Sequence, residues 1–175
     1  MKNMFKISGQ SKFLIRIFFL ILFLSSVLFS KLILAENSHM VAQLKKYSIG
    51  CPPTQPDALG PFYKPKAPLR DSVGKGYELS GRVMSSLDCS SIPQAHIELW
   101  MAGPDGDYKD DYRATVIANK SGEYQFESHR PPSYASRPPH IHVRVSADGF
   151  KTLITQHYPE ADSSREEFDL VLIPN

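Results

Sequence analysis

Acidic residues are missing from the start of the chain. No Asp or Glu precedes Glu36, while five of the 20 basic residues (Lys2, Lys6, Lys12, Arg16, Lys31) fall in the first 31 positions. From Glu36 onward 15 basic residues face 18 acidic ones, so the formal net charge of +2 conceals a mildly acidic body. Such a body lacks the basic footprint of a nucleic-acid-binding protein. Long apolar runs are scarce too. The single one, Ile17–Phe29, excludes a multi-pass membrane protein. A composition 42% hydrophobic and 22% charged excludes disorder and collagen, and 175 residues allow one domain. Internal repeats and low-complexity stretches are absent.

The basic start followed by Ile17–Phe29 reads as a secretory leader over residues 1–35, with small Ala35 closing the cleavage tripeptide Ile33-Leu34-Ala35. A retained anchor is the rival. Thirteen residues at ~1.5 Å each reach only about 20 Å, short of a ~30 Å hydrocarbon core. Membrane association is therefore expected only through an uncleaved leader. No Cys stands at the cleavage point, which argues against a lipoprotein. Export places the body in an oxidising periplasmic or extracellular space. Cys51 and Cys89 are the only thiols there, and one disulfide is the simplest reading, against two free buried cysteines. Their separation and the lack of a nearby His argue against a two-Cys metal site.

Six prolines between Pro52 and Pro68 exclude long helices and central strands, so residues 36–76 read as an extended Pro-rich arm, with one weak helix signal over Val41–Tyr47. From Tyr77 the texture changes to short alternating runs. The predicted strands are Tyr77–Met84, Ala95–Met101, Thr115–Asn119, Glu123–Ser128, His140–Ser146, Leu153–His157 and Phe168–Ile173, separated by turn chemistry. No 3.6-residue period persists. Residues 77–175 are expected to form an all-β sandwich of short, mostly antiparallel strands.

Within that frame His140-Ile141-His142 carries the most information. Alternation in a strand puts His140, His142 and Arg144 on one face and Ile141, Val143 and Val145 on the other, core face. Two imidazoles a pleat apart can chelate one metal ion. Alone, the pattern more often describes a polar surface stripe. The preceding loop, Arg130 to Pro139, contains four prolines that stiffen it and carries Tyr134 and Arg137 onto the mouth of the strand. A Pro-rich connector with a buried Tyr is the competing reading.

The pattern Tyr134-x-x-Arg137-x-x-His140-x-His142, followed by Leu153-Ile154-Thr155-Gln156-x-Tyr158, resembles the intradiol ring-cleavage dioxygenases. The likeness continues upstream through Gly60-Pro61-Phe62-Tyr63, Leu79 to Val83, Ala95 to Trp100, Gly106-Asp107-Tyr108 and Gly122 to Phe126. The resemblance implies a β-sandwich with one mononuclear non-haem Fe(III) per chain, held by Tyr108, Tyr134, His140 and His142. Tyr112, four residues after Tyr108, competes for the first Tyr position. The segment from Tyr134 to His140 is short, as in secreted members, so pocket shape cannot be carried over from the cytoplasmic forms. The implied partners are a small aromatic diol and O2, with a muconate-type diacid as product; oligomeric state is not assigned.

Two phenolates are hard anionic ligands that suit ferric iron, and a phenol, with an ordinary pKa near ~10, ionises beside such a cation. The resemblance further implies that Tyr134 leaves the metal and helps accept a proton. Arg137 would stabilise charge on the ring. Gln156 would line the pocket or orient oxygen, and Gly60, Pro61 and Tyr63 would flank the substrate. The remaining candidates read more plainly. His96 looks structural, His157 is a possible pocket residue although strand parity puts it opposite Gln156, His39 looks solvated, Tyr124 and Phe126 look like packing, and Trp100 looks like core or pocket wall. Asp105, Asp107, Asp110 and Asp111 make a solvated loop, with calcium as the alternative. Two other functions remain open: a non-catalytic sandwich binding module, and a periplasmic zinc or copper binder using His140 and His142.

Overall fold

The computed structural model describes residues 29–31, 33–34 and 50–175. The predicted leader up to residue 28, the weak helix at Val41–Tyr47 and His39 lie outside the described residues. No helix among the described residues is long and apolar enough to cross a membrane.

Eight strands follow in order: β1 (Tyr77–Ser85), β2 (His96–Trp100), β3 (Arg113–Ile117), β4 (Glu123–Ser128), β5 (Ile141–Ser146), β6 (Leu153–His157), β7 (Arg165–Glu167) and β8 (Leu170–Leu172). They form two sheets. One runs β3-β2-β5-β6, antiparallel throughout. In the other, β1 pairs with β4 antiparallel on one side and with β7 and then β8, both parallel, on the other. The chain is thus the expected all-β sandwich. Alternation decides which side chains face inward: Ile97, Leu99, Ile141, Val143 and Val145 from one sheet meet Leu79, Val83, Phe126 and Leu170 from the other, all fully buried.

Two strands differ from expectation by more than one residue at an end. The strand expected at Thr115–Asn119 is Arg113–Ile117, because Asn119 makes the turn instead. Its side-chain oxygen accepts hydrogen bonds from the Ser121 and Glu123 amides at 2.8 and 2.9 Å. The strand expected at Phe168–Ile173 is shortened to β8, Leu170–Leu172, and β7, Arg165–Glu167, precedes it as a strand that was not expected. Between them the Phe168 carbonyl dips toward β1 so closely that a Cβ on Gly81 would lie 2.3 Å from it, and the Asp169 carboxylate accepts the Arg82 amide at 2.8 Å. The polar run preceding it, Arg165–Glu167, hides its strand from any apolar pattern.

The arm is sewn to the sandwich mainly by hydrogen bonds. Thr54 exchanges bonds with Val171, the Asp57 amide donates to the Ile154 carbonyl at 2.9 Å, and Thr115 and Arg70 pair backbone to backbone. The arm thereby caps the β6 and β3 edges, which would otherwise expose unpaired backbone groups. Cys51 and Cys89 form a disulfide across 38 positions, tying the arm to the loop after β1.

Candidate active site

Strand register places the site. Across β3, β2, β5 and β6 the residues Arg113, Trp100, His142 and Gln156 stand in one row on the outer face of their sheet. The core lies on the opposite face, so the row is covered by loops and the arm. His140 enters from the residue before β5. Tyr108 comes from the β2–β3 loop and Tyr134 from the Pro-rich loop.

These groups converge. The Tyr108 hydroxyl lies 3.0 Å from His140 Nε2 and 3.3 Å from His142 Nε2. The Tyr134 ring meets the Tyr108 ring edge-on, with centroids 5.3 Å apart. Donor atoms sharing one ion at ~2.1 Å are about 3.0 Å apart at a right angle and about 3.4 Å apart at the tetrahedral angle. Both separations from the Tyr108 hydroxyl therefore match donor atoms that share one first-row metal ion, with the Tyr134 ring beside them. Tyr112, the competing candidate, packs elsewhere than on His140 and His142: its ring fills the space where a Gly103 Cβ would lie and stands edge-on to His129 at 5.1 Å.

The imidazoles are prepared for ligation. His140 Nδ1 donates to the Pro138 carbonyl at 2.8 Å, which leaves the Nε2 lone pair free. Burial pushes the His140 pKa down, against the Pro138 hydrogen bond that raises it. Burial pushes His142 down to about 4, reinforced by His140 and Arg137. Both rings are neutral near pH 7, the form that binds metal. His142 also stacks on Trp100, with centroids 4.9 Å apart and planes 4° apart, so Trp100 is a wall of the site. Burial raises the Tyr108 pKa, partly offset by Arg137, so this phenol keeps its proton until a cation displaces it.

Tyr134 and Arg137 reach the site together because they pair across a tight turn. Each backbone amide donates to the other's carbonyl, at 3.2 and 2.9 Å. Arg137 Nη2 donates to Gln156 Oε1 at 2.7 Å and lies 2.8 Å from the Tyr158 hydroxyl. Gln156 Nε2 in turn donates to the Ala58 carbonyl at 2.6 Å. Gly60 lies against the edge of His142, and Pro61 is exposed. The Tyr63 hydroxyl is engaged by Glu98, at 3.2 Å from each carboxylate oxygen.

Three participants went unassigned in the sequence. Phe62 stacks on Tyr108 with centroids 4.3 Å apart. Tyr158 donates to Asp57 Oδ2 at 2.8 Å, linking the arm to Arg137. Tyr158 stood in the motif and Phe62 between named neighbours, whereas no local pattern marks Asp57. His96 is exposed at the first position of β2. His157 faces the interior, 2.6 Å from the Tyr77 hydroxyl and 3.2 Å from Glu166, on the face opposite Gln156 that strand parity implies. The acidic loop is occupied by ion pairs, Asp105 and Asp107 with Lys109 and Asp110 with Lys64 and Arg113.

A β-sandwich carrying phenols and imidazoles around one small volume on a sheet's outer face defines a candidate metalloprotein. A dioxygenase family model matches residues 64–171, more than half of the chain. Relatives include the chlorocatechol 1,2-dioxygenase of Rhodococcus opacus, 31% identical over 142 residues (59% of this chain and 55% of the relative). The chlorocatechol 1,2-dioxygenase of Cupriavidus pinatubonensis is 27% identical over 157 residues, covering 71% and 60%. Among solved structures, the dioxygenase domain of a carbohydrate-binding fusion protein from Streptomyces sp. SirexAA-E superposes with a TM-score of 0.64 at 24% identity, over 71% of this chain and all of that one. The chain belongs to the intradiol ring-cleavage dioxygenase family. It spans 55 to 60% of the length of the two curated relatives named.

Proposed function

We propose that the protein is an exported intradiol dioxygenase that opens catechol-like aromatics between their two hydroxyl-bearing carbons. Both atoms of O2 enter the product, a muconate-type diacid. One Fe(III) per chain would be held by Tyr108, Tyr134, His140 and His142. The observation that carries this reading is the approach of the Tyr108 hydroxyl to both imidazole Nε2 atoms, at 3.0 and 3.3 Å, in a chain of this family.

Bound ferric iron supplies Lewis acidity that favours the catechol dianion. The remaining work falls to the protein. His140 and His142 present neutral imidazoles. Tyr108 and Tyr134 present phenols whose protons leave as charge is neutralised, and Tyr134, on its turn, is the acceptor for a substrate proton. Arg137, permanently charged and fixed by Gln156 and Tyr158, faces electron density that grows on the ring. Export is supported by the basic and then apolar first 35 residues and by the Cys51–Cys89 bridge, which an oxidising compartment preserves.

Purified iron-loaded protein should be red-brown from tyrosinate-to-iron charge transfer. Adding catechol should shift the band, and O2 uptake should equal the diacid formed. Colourless protein with stoichiometric zinc and no O2 uptake rejects the proposal in favour of a zinc binder. N-terminal sequencing of protein from the periplasm or medium should begin at Glu36; intact protein retained in the cytoplasm rejects export.

A further inference from the structure

Beside the row that carries His142 runs a second one. Thr115, Glu98, Arg144 and Ile154 stand in register across β3, β2, β5 and β6, on the same outer face. Glu98 is 9% exposed. A carboxylate this buried needs a cation and hydrogen bonds to persist charged. Arg144 Nη1 supplies the cation at 2.5 Å, and the Tyr63 hydroxyl supplies the second bond, 3.2 Å from each oxygen. The Arg144 guanidinium also stands 6.0 Å from the centre of the Tyr63 ring. Burial and Glu98 both raise the Tyr63 pKa, so its hydroxyl remains a donor.

What this cluster fastens is the segment over the donors. The Ala58 carbonyl is held by Gln156 and the Ala67 carbonyl by Thr115. Between them no backbone hydrogen bond to the sheet is present among the described residues. The segment is held by side chains instead: Tyr63 on Glu98 and on Trp100 (centroids 5.2 Å apart), Phe62 on Tyr108, and Lys64 on Asp110. The Lys64 pair is exposed, and exposed pairs contribute little. Tyr63, half-buried, is thus the main anchor, with Phe62 beside it and Gly60 against His142.

We propose that Glu98, braced by Arg144, is a positioning residue that clamps the Gly60–Tyr63 strap through the Tyr63 hydroxyl, seating Phe62 against Tyr108 and Gly60 against His142. The role assigned to the strap rests on the function proposed above, since it makes Phe62 part of the wall a catechol ring would meet. The clamp itself is a property of the protein without metal. Freeing the strap weakens capture of the substrate ring and leaves the donor set in place.

The test uses Tyr63→Phe, which keeps the ring and removes only the hydroxyl, and Glu98→Gln, which keeps the shape and removes the charge, in the full chain. Chymotrypsin cleavage of the metal-free protein after Phe62 and after residue 63 should be about tenfold faster in both variants, with cleavage inside β1 and β4 unchanged. In the iron-loaded protein the KM for catechol should rise about fivefold, with kcat and iron content near those of the unaltered chain. Unchanged cleavage at the strap in both variants overturns the clamp. Cleavage accelerated evenly through both sheets also overturns it, because that marks a general loss of stability. An unaltered chain that binds no iron and consumes no O2 overturns the proposed function instead, and the proteolysis result still decides the clamp.

Discussion

At Gly60 two constraints meet: φ is +75°, and a Cβ would come within 2.8 Å of His142 Cε1. A side chain there must strain the backbone and also displace the His142 ring. Gly60→Ala is expected to cost about 1–2 kcal/mol in stability and to lower iron content, measured by thermal melting and metal analysis. Tyr108→Phe should abolish or move the visible band, while Tyr112→Phe should leave it in place; the reverse pattern would reassign the ligand. Spacing alone leaves the two tyrosines open, because both follow a Trp-containing strand within one loop. The difference lies in packing, since Tyr112 has Gly103 and His129 to fill against, whereas Tyr108 meets the two imidazoles, Phe62 and Tyr134. His140 and His142 were legible because strand alternation is a local rule, and Tyr134 and Arg137 because the Pro-rich loop carries them onto the mouth of that strand; the backbone pairing of those two was not foreseen. Asp57 and Glu98 were not, because their partners lie 101 and 46 positions away.

Strands and turns translate those residues into positions. A slip of one residue in β5 would turn both His142 and Arg144 into the core and Val143 outward, so the apolar alternation that builds the core also aims the site. Most strands were recoverable from that alternation. β7 was not, since Arg165–Glu167 has no apolar residue and is a strand only because β1 offers a parallel partner. The shift of β3 follows from a single side chain, Asn119. Asn119→Ala removes two acceptor bonds and should lower stability by about 1–2 kcal/mol in urea unfolding without changing the visible band. The buried contact of β6 with β1 and β7 carries a pH dependence. Burial lowers the His157 pKa despite Glu166, so the folded state prefers the neutral ring. Its contribution to stability is complete above an unfolded value of about 6.5 and declines as pH falls below that toward the lower folded value. His157→Gln should flatten this acid-side slope in denaturation series, although it also disturbs the bond to Tyr77.

For the molecule as a whole, the arm and the sandwich work as one site-bearing unit, because Ala58, Gly60, Phe62 and Tyr63 all lie on the arm. The disulfide closes a loop that spans this entire segment. A closure across 38 positions removes chain entropy equivalent to about 4 kcal/mol in the unfolded state. Cys51→Ala with Cys89→Ala is therefore expected to lower unfolding free energy by about 2–4 kcal/mol, checked by chemical denaturation with and without reductant. The composition made the arm and the bridge recognisable, but proline content says only where helices and central strands cannot form. Where the arm lies depends on the backbone groups that the edges of β3 and β6 leave open.

Trp100 is the chain's only tryptophan, and it lies flat against His142. The protein consequently carries its own optical probe, with no competing indole elsewhere to dilute the signal. Emission from Trp100 should fall when a paramagnetic ion takes its place beside the imidazole. A titration of the unlabelled chain would then follow loading of the centre in real time.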